Sequence, residues 1–427
     1  MQRPGLSVRA LGILVATAAA LGVVLATGTE SSAAPFAAQS AAQSAARSAA
    51  APATPPAPRS SVVTWGSSAY PAGTATQDLT YRFVIHTSVG GRDLRIRLSN
   101  AYGDQPVTFG RAYAGTRASG AAVVPGSNGR LTFRGAPSVT VPAGGVVYSD
   151  PLPGRVRPQS DLAISLYVRS AGTLATGHKG ARATQYVAPA GDHAAEEDAA
   201  AYTQQITSWY YLDAAVVRPR PGTGAVVAFG DSITDGSASS ADTNRRWPDF
   251  LARRLLADPR SRLKGVANEG ISGNKILADG SAESALKRLD RDVLSQAGVR
   301  TTILLEGIND IKATPGPTAD ELIAGYRQII TRSHARGVCV VGATVMPYEG
   351  WREYEAVDET VRQQVNAFMR TSGEFDAVVD FDQAVRDPAA PARMLPAYDS
   401  GDHLHPNDTG MRVMGDAIPL RALRCGR

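Results

Sequence analysis

The spacing of apolar residues changes near Pro219, and the two resulting parts of the chain need different folds. Between residues 61 and 217, short runs alternate apolar and polar side chains, as in LRIRL at 94–98. A period of two is typical of half-buried β-strands, and glycine-rich turns recur between the runs. Many short strands without helices between them favour an antiparallel sandwich. We therefore predict an all-β sandwich over residues 59–218, in which the acidic, alanine-rich segment 194–201 forms either a short helix or a loop.

Beyond Pro219, strand-like, turn-like and helix-like runs alternate, which is typical of a parallel sheet covered by helices. Pro248 suits the first turn of a helix, where no backbone donor is lost, and Gly337 suits a helix end. The pattern predicts an α/β domain over residues 219–427. Its predicted strands lie at 226–229, 302–305, 338–345 and 377–381, and its predicted helices begin near Trp247 and cover 318–336 and 359–371.

The N-terminus has the pattern of a secretory signal peptide. Arg3 and Arg9 precede an apolar stretch at 11–27, which small residues follow. We therefore predict a signal peptide over residues 1–34 and a secreted, extracellular protein, with an uncleaved membrane anchor as the alternative. Residues 35–58 consist almost entirely of Ala, Ser, Gln, Thr and Pro, which bury too little apolar surface to offset the entropy lost on ordering. This segment is predicted to be a disordered linker.

The composition excludes several classes of protein. With 43% hydrophobic and 19% charged residues, the chain has an ordinary globular composition rather than a fibrous one. The net charge of +5 is spread along the chain without a basic run interleaved with aromatics, so we expect no nucleic-acid partner. The two cysteines, Cys339 and Cys425, form a disulfide in one interpretation, because an exported protein can oxidise them. In the other, Cys339 is a small buried hydrophobe and Cys425 is free.

Polar and glycine-rich segments follow the predicted strands of the α/β domain, where ligands gather in open parallel sheets. Ser232 lies in Gly-Asp-Ser directly after the first strand and before a helix, so its hydroxyl projects into the crevice near a helix N-terminus. This placement suits a nucleophile, and an ordinary helix cap is the alternative. Two further loops, 268–274 and 306–310, carry glycines that allow close backbone approach and Asn amides that can donate to an oxyanion.

A serine nucleophile needs a base, and the base needs an acceptor on its other nitrogen. His405 and Asp402, three residues apart, can supply both within one turn. His86 and His334 fall in a predicted strand and a predicted helix, and we interpret both as structural. Asp402, His403 and His405 could also bind a metal, because H-x-H places two imidazoles on one side of a strand. No second cluster in the sequence supplies the remaining ligands, so we expect no metal.

Four blocks in this order resemble the SGNH hydrolases, also called the GDSL esterase and lipase family. They are Gly-Asp-Ser at 230–232, Gly273 in the second loop, Gly-Ile-Asn-Asp at 307–310 and Asp-x-x-His-Pro at 402–406. The stretches NRRWPDFLARRL, LLEGINDI and YDSGDHLHPND resemble a secreted two-domain subfamily that includes acylesterases of xylan-degrading systems. The resemblance covers roughly residues 224–420. It implies a three-layer α/β, flavodoxin-like hydrolase domain with a parallel sheet, preceded by the β-sandwich as an accessory domain.

The resemblance also implies a role for individual residues. Ser232 would be the nucleophile, His405 the general base and acid, and Asp402 the partner that orients His405. The oxyanion hole would consist of the N–H of Ser232, the N–H of Gly273 and the side chain of Asn309. Two departures from the commonest family pattern affect this assignment. Glu269-Gly270 makes Gly270 a rival to Gly273, and Gly307-Ile308 replaces a frequent Gly-Gly pair. Asp231 and Asp310 are interpreted as residues that hold loops.

The predicted function is that of a secreted serine carboxylic-ester hydrolase that uses no cofactor and removes short acyl groups from carbohydrates or small esters. We expect an ester substrate such as an acylated polysaccharide, no stable membrane association after signal cleavage, and a monomer. A lipase for longer acyl chains, a noncatalytic carbohydrate-binding protein with a retired hydrolase domain, and a metal-dependent deacetylase are the alternatives. Four residues in or near the site loops are predicted to line the substrate site, with ordinary packing as the alternative: Trp247, Tyr348, Trp351 and His403.

Overall fold

The computed structural model describes residues 57–424, in which an antiparallel β part precedes an α/β part. The predicted signal peptide, nearly all of the predicted linker and Cys425 lie outside the described residues, so the predicted Cys339–Cys425 disulfide does too. Over residues 57–424, every helix is too short or too polar to cross a membrane.

Residues 57–218 form strands joined by turns and loops. Segment 194–201 consists of turns, so the loop alternative is the correct one. The strands are β1 Val62–Gly66, β2 Tyr70–Thr74, β3 Leu79–His86, β4 Gly91–Ser99, β5 Val107–Ser119, β6 Ala122–Val123, β7 Gly129–Leu131, β8 Val139–Val141, β9 Val146–Tyr148, β10 Leu152–Val156, β11 Asp161–Ser170, β12 Leu174–Lys179, β13 Gln185–Ala188, β14 Gln204–Ile206, β15 Ser208–Tyr210 and β16 Leu212–Arg218.

These strands pair antiparallel in three sheets, as the period-two pattern predicts. One sheet has the order β1-β16-β4-β10 with β9 beside β4, and a second has the order β14-β13-β3-β11-β5-β6 with β7 and β8 beside β5. The third is β15-β12-β2. Apolar side chains from the two larger sheets, among them Ile96 and Ile164, belong to one buried cluster. The β class is therefore confirmed, whereas the face-to-face sandwich stays a prediction.

The α/β part alternates strands and helices around a parallel sheet of order β18-β17-β19-β20-β21. Its strands are β17 Gly224–Gly230, β18 Leu263–Gly270, β19 Val299–Leu305, β20 Cys339–Ala343, β21 Ala377–Val379, β22 Arg386–Asp387 and β23 Ala390–Met394. Its helices are α1 Ser232–Asp235, α2 Trp247–Ala257, α3 Ala285–Leu289, α4 Ile308–Ile311, α5 Ala319–His334, α6 Ala356–Thr371, α7 Phe381–Val385 and α8 Asp408–Ala417. A π-helical turn, Asp290–Leu294, continues α3.

Local signals account for several of these boundaries. Helix α2 begins at Trp247 with Pro248 in its first turn, as predicted. Helix α5 begins after Thr318, whose hydroxyl accepts from the Glu321 N–H while the Glu321 carboxylate accepts from the Thr318 N–H. Gly337, at φ +70°, follows its end. The predicted loop 268–274 is partly wrong, because its first three residues are the last three residues of β18.

The register of the sheet brings three loops together. At the carboxyl edge, Gly230 of β17 pairs with Gly270 of β18 on one side and with Leu305 of β19 on the other. The segments that follow Gly270 and Leu305 therefore each start one strand spacing, about 5 Å, from the segment that follows Gly230. This edge holds the candidate site.

The β part is joined to the α/β part along β18. Strand β1 lies beside it, and Ser67 forms a parallel bridge with Asn268. The Ser88 hydroxyl accepts from the Val266 N–H of β18 at 2.9 Å and donates to the Thr64 carbonyl of β1 at 2.7 Å. The predicted domain boundary at 218/219 falls in the connection between β16 and β17.

Gly270 provides a test of the packing between β18 and α1. A Cβ at this position would overlap the backbone nitrogen of Asp235, so we expect Gly270→Ala to destabilise the fold by about 1–3 kcal/mol through overpacking. The thermal unfolding midpoint should fall by several degrees. Gly280→Ala is the matched control, because a Cβ there meets nothing within 4 Å. Equal midpoints for the two variants would contradict the described packing.

Candidate active site

Ser232 is the first residue of α1, directly after β17. Asp231 caps the helix, because its Oδ1 accepts from the Ile233 N–H at 2.9 Å. Gly230 allows the sharp entry into the helix, since a Cβ there would overlap Thr234 Oγ1 and lie 2.5 Å from the Leu305 carbonyl oxygen. Gly236 ends the helix at φ +103°. The strand and the helix therefore present the Ser232 hydroxyl at the carboxyl edge of the sheet, as predicted from the sequence.

His405 lies beside Ser232 on a loop that precedes α8. The Ser232 Oγ and His405 Nε2 atoms are 2.9 Å apart, and His405 Nδ1 is 2.6 Å from Asp402 Oδ2. Asp402 Oδ1 accepts from the backbone N–H groups of His405 at 2.8 Å and Leu404 at 2.9 Å. The carboxylate therefore fixes both the backbone and the ring of His405. Three residues predicted from local sequence patterns form one continuous hydrogen-bonded series.

The surroundings keep Asp402 ionised. Partial burial opposes ionisation, but hydrogen bonds from the backbone and imidazole of His405 and from the Leu404 N–H outweigh it and lower the pKa of Asp402. An ionised Asp402 favours a proton on His405 Nδ1, which leaves Nε2 as the acceptor facing Ser232.

The candidate oxyanion donors Gly273 and Asn309 lie in the segments that follow β18 and β19. The Asn309 side chain donates to the Asn274 carbonyl at 2.9 Å, and an amide nitrogen carries a second N–H. Gly273 follows β18 in a turn at φ +77°, a conformation that favours glycine. The N–H of its rival, Gly270, donates to Asn268 Oδ1 at 3.0 Å. The geometry therefore favours Gly273 over Gly270 as a donor that can face a ligand.

Two buried aspartates hold the loops around the site. Asp310 accepts from the backbone N–H groups of Ile276 at 2.8 Å and Leu277 at 3.0 Å. Asp231 is 1% exposed, and this burial raises the pKa of its carboxyl to about 7, with the nearby Asp310 adding to the rise and the Ile233 N–H opposing it. Both residues therefore hold backbone, which is the role that the sequence interpretation gives them.

Arg288 of α3 is a site residue that the sequence analysis missed. The side chain is fully buried, and its guanidinium donates to the Gly230 carbonyl at 2.9 Å and to Asn274 Oδ1 at 2.7 Å. It thereby fixes the residue two before Ser232 and the residue after Gly273. No local pattern distinguishes this arginine from the many others in the chain, so the signal lies only in its three-dimensional contacts.

The predicted substrate-lining residues fall into two groups. Trp351 lies next to the site, with its ring centroid 6.0 Å from that of His405, and His403 has a half-exposed side chain that contacts Asp399. The prediction is wrong for Trp247 and Tyr348, which are both fully buried. Trp247 packs against Phe381, and the Tyr348 hydroxyl donates to Asp358, so these two aromatics belong to the core.

The described residues, 57–424, hold no group of three His, Cys, Asp or Glu side chains placed to bind one metal ion. His403 and His405 contact different carboxylates, Asp399 and Asp402. The three-ligand alternative considered for this loop therefore has no common ligand site there.

The raised pKa of Asp231 predicts a pH-dependent stability. Because the folded state holds a proton that the unfolded chain releases near pH 4, the contribution of Asp231 to the free energy of unfolding should fall as pH rises from about 4 to 7. Asp231→Asn keeps an oxygen acceptor for the Ile233 N–H but cannot ionise. We expect this variant to exceed the wild type at pH 8 by on the order of a few kcal/mol in urea unfolding, with a smaller excess at pH 4.5. Asp320→Asn, at an exposed carboxylate, is the control, and an equal pH dependence of Asp231→Asn and wild type would contradict the assignment.

The chain is similar to known proteins both in sequence and among solved structures. A sequence model of the GDSL-like lipase/acylhydrolase family matches residues 228–413. Similar solved structures include an aryl esterase of M. smegmatis, with 18% identity over 47% of this chain and 100% of that chain and a TM-score of 0.38. A carbohydrate acetylesterase from Sinorhizobium meliloti has 16% identity over 46% of this chain and 96% of that chain, with a TM-score of 0.38. A GDSL-like lipase from Bacteroides thetaiotaomicron has 21% identity over 46% of this chain and 87% of that chain, with a TM-score of 0.36.

No curated protein sequence matches the chain. The family match begins within β17, just before Ser232, and ends within α8, just after His405. It therefore contains the whole hydrogen-bonded series and both loops that carry the candidate oxyanion donors. Over residues 228–413, the α/β part of this chain is thus similar to the GDSL-like lipase/acylhydrolase family.

Proposed function

We propose that this protein is a serine carboxylic-ester hydrolase whose catalytic residues are Ser232, His405 and Asp402. The observation that carries the proposal is the series of contacts from Ser232 Oγ to His405 Nε2 at 2.9 Å and from His405 Nδ1 to Asp402 Oδ2 at 2.6 Å. A hydroxyl alone is a weak nucleophile, and a neutral imidazole at this distance can take its proton as it attacks. The match of residues 228–413 to an acylhydrolase family model supports ester carbonyls as the electrophile.

The reaction divides into acylation and deacylation. Ser232 Oγ attacks the ester carbonyl carbon while His405 Nε2 accepts the hydroxyl proton, and Asp402 stabilises the resulting imidazolium. The carbon–oxygen bond to the alcohol then breaks, and His405 gives the proton to the departing oxygen. Water attacks the acyl group on Ser232 with His405 again as base, which releases the carboxylic acid and restores the hydroxyl. These steps use only residues of this chain and water.

The tetrahedral intermediates need donors for their negative oxygen. We assign this task to the N–H groups of Ser232 and Gly273 and to the Asn309 side chain. The hydrogen bond from Asn309 Nδ2 to the Asn274 carbonyl supports the assignment, because it fixes the amide plane and leaves one N–H to face the site. Each such donor is worth about 10² to 10³ in kcat.

The proposed substrates are short acyl esters of carbohydrates or small alcohols. Trp351 supports this choice, because an indole next to the base can stack against a sugar ring or a compact alcohol group. Cations flank this indole, with Lys312 Nζ and the Arg352 guanidinium carbon each 5.0 Å from the ring. Such a rim favours polar substrates over long alkyl chains.

Two further parts of the proposal rest on sequence patterns alone. Export through the signal peptide at 1–34 would place the enzyme outside the cell, where acylated polysaccharides are available. The β part would form a two-sheet sandwich that accompanies the hydrolase, and the enzyme would act as a monomer without nucleic acid or membrane partners.

Hydrolysis of p-nitrophenyl acetate, butyrate and palmitate and of acetylated xylan tests the proposal. We expect release of acetate and butyrate with little cleavage of palmitate, and a drop of at least 10⁴-fold in kcat for Ser232→Ala. Ser240→Ala, an exposed serine after α1, is the control that should keep wild-type rates. Wild-type rates in Ser232→Ala would refute the mechanism. Faster cleavage of palmitate would make the enzyme a lipase, and a failure of the wild type to react with a fluorophosphonate would favour a noncatalytic protein.

The pH dependence of the rate tests the role of His405. Protonation of the imidazole removes the acceptor for the Ser232 proton, so kcat should fall as the pH is lowered. Hydrogen bonds from His405 and Leu404 lower the pKa of Asp402, which favours the ionised carboxylate that orients the ring. A kcat that stays constant as the pH is lowered from about 8 to about 5 would argue against a histidine base.

A further inference from the structure

We propose that the β part positions the oxyanion donor Gly273 through two of its own residues, His178 and Ser68. This inference rests on the proposed function, because it concerns the geometry of the proposed oxyanion hole. It makes the β part a component of the active site rather than an accessory.

Gly273 lies in a turn that depends on its two neighbours for its position. The turn covers residues 271–274 and is called the oxyanion turn below. It is closed by a hydrogen bond from the Asn274 N–H to the Ile271 carbonyl at 3.0 Å. Ser272 and Gly273 are both exposed, so packing does not hold them in place. The side chains of Ser272 and Asn274 hold the turn instead. Each is connected to the β part by hydrogen bonds through one intervening residue.

The first connection runs through His178 of β12. Its Nε2 atom is 3.0 Å from Asp235 Oδ1, and its Nδ1 atom is 2.8 Å from the Ser68 carbonyl oxygen. The other oxygen of Asp235 accepts from the Ser272 hydroxyl at 2.9 Å. Asp235 is the last residue of α1, whose first residue is Ser232. A histidine of the β part therefore fixes the carboxylate that holds the residue before Gly273.

The charge of His178 fits this arrangement. The imidazole is 3% exposed, and this burial opposes its protonation, yet the Asp235 carboxylate and the Ser68 carbonyl outweigh the burial and raise the pKa of His178. The positive charge of Arg246 acts in the opposite direction, and the ring of Tyr70 lies 5.5 Å away. A doubly protonated ring donates to both acceptors at once, which a neutral ring cannot do.

The second connection runs through Ser68, between β1 and β2. Its hydroxyl accepts from Arg288 Nη1 at 2.9 Å and donates to Glu269 Oε2 at 2.7 Å. Arg288 in turn donates to Asn274 Oδ1 at 2.7 Å, and the Asn274 carbonyl accepts from Asn309. Ser68 therefore acts through one arginine on the residue after Gly273 and on the plane of the Asn309 amide.

Both connections should affect kcat, because an oxyanion hole stabilises the transition state only when its donors are held in position before the reaction. Donors must lie about 2.7–3.1 Å from the developing oxyanion, and a displaced donor loses transition-state stabilisation without affecting ground-state binding. We therefore expect a loss in kcat with little change in KM when either connection is broken.

Full-length variants on p-nitrophenyl acetate test the first connection. His178→Phe removes both ring nitrogens, and Ser272→Ala removes only an exposed hydroxyl at the other end of the connection. Each should lower kcat about tenfold with KM within twofold, a part of the loss expected for a whole donor. His178→Gln keeps an N–H for Asp235 and should regain most of the rate. His193→Phe, at a partly exposed histidine of the β part that pairs with Glu196, should match the wild type.

Hydrogen exchange of the backbone amides in the peptide 270–276 adds a readout that does not depend on activity. Exchange should quicken in His178→Phe and Ser272→Ala and stay unchanged in His193→Phe. A kcat within twofold of wild type in folded Ser272→Ala overturns the proposal, and this variant decides if His178→Phe does not fold. If the wild type itself lacks Ser232-dependent activity, the proposed function fails, and exchange alone then decides: faster exchange supports the positioning, and unchanged exchange overturns it.

Discussion

The site depends on the hydrogen bonds of the buried Arg288 guanidinium. It donates to the backbone carbonyls of Gly230 in β17 and Glu269 in β18. It also donates to the Asn274 side chain and to the Ser68 hydroxyl. Its charge is balanced by Asp292 at 3.2 Å, whereas burial raises the pKa of its other carboxyl neighbour, Glu306 at 3.3 Å, well above the usual value. Removing one partner of such a buried set leaves uncompensated charge, which costs several kcal/mol. A single planar cation therefore fixes the relative positions of two strands, one turn and the neighbouring β part.

The sequence patterns predicted the fold class well and missed elements with polar interiors. The alternation in the first part and the helix boundaries at Trp247 and Thr318 depend on local chemistry, so a short window of sequence contains them. No strand is predicted over β18, and its last residues include Asn268 and Glu269, which look like a loop. Glu269 is buried, and Ser68 and Gln296 donate to its carboxylate, so contacts from distant segments turn a polar residue into an interior one.

The residues of the candidate site likewise fall into those that short sequence patterns predict and those that they do not. Ser232 and the pair Asp402 and His405 lie in short sequence motifs, and the structure brings all three together. Arg288 and His178 could not be found from the sequence, because their partners lie up to 220 residues away. Trp247 and Tyr348 were misassigned for the converse reason: an aromatic residue near a site loop has the same sequence signature whether it faces the cleft or the core. Whether the aromatic side chain faces the cleft or the core depends on how neighbouring elements pack, and a short window of sequence does not contain that information.

The contact between β1 and β18 has a consequence for association between molecules. Strand β18 is the last in its sheet, and a terminal strand normally offers unpaired N–H and carbonyl groups to any passing chain. Here the protein's own β1 and the Ser88 hydroxyl occupy that margin. Removal of the β part would expose the backbone N–H and carbonyl groups at this edge of β18, where a second copy of the chain could pair with them. The two parts are therefore a poor choice for separation in engineered fusions, however modular their sequences look.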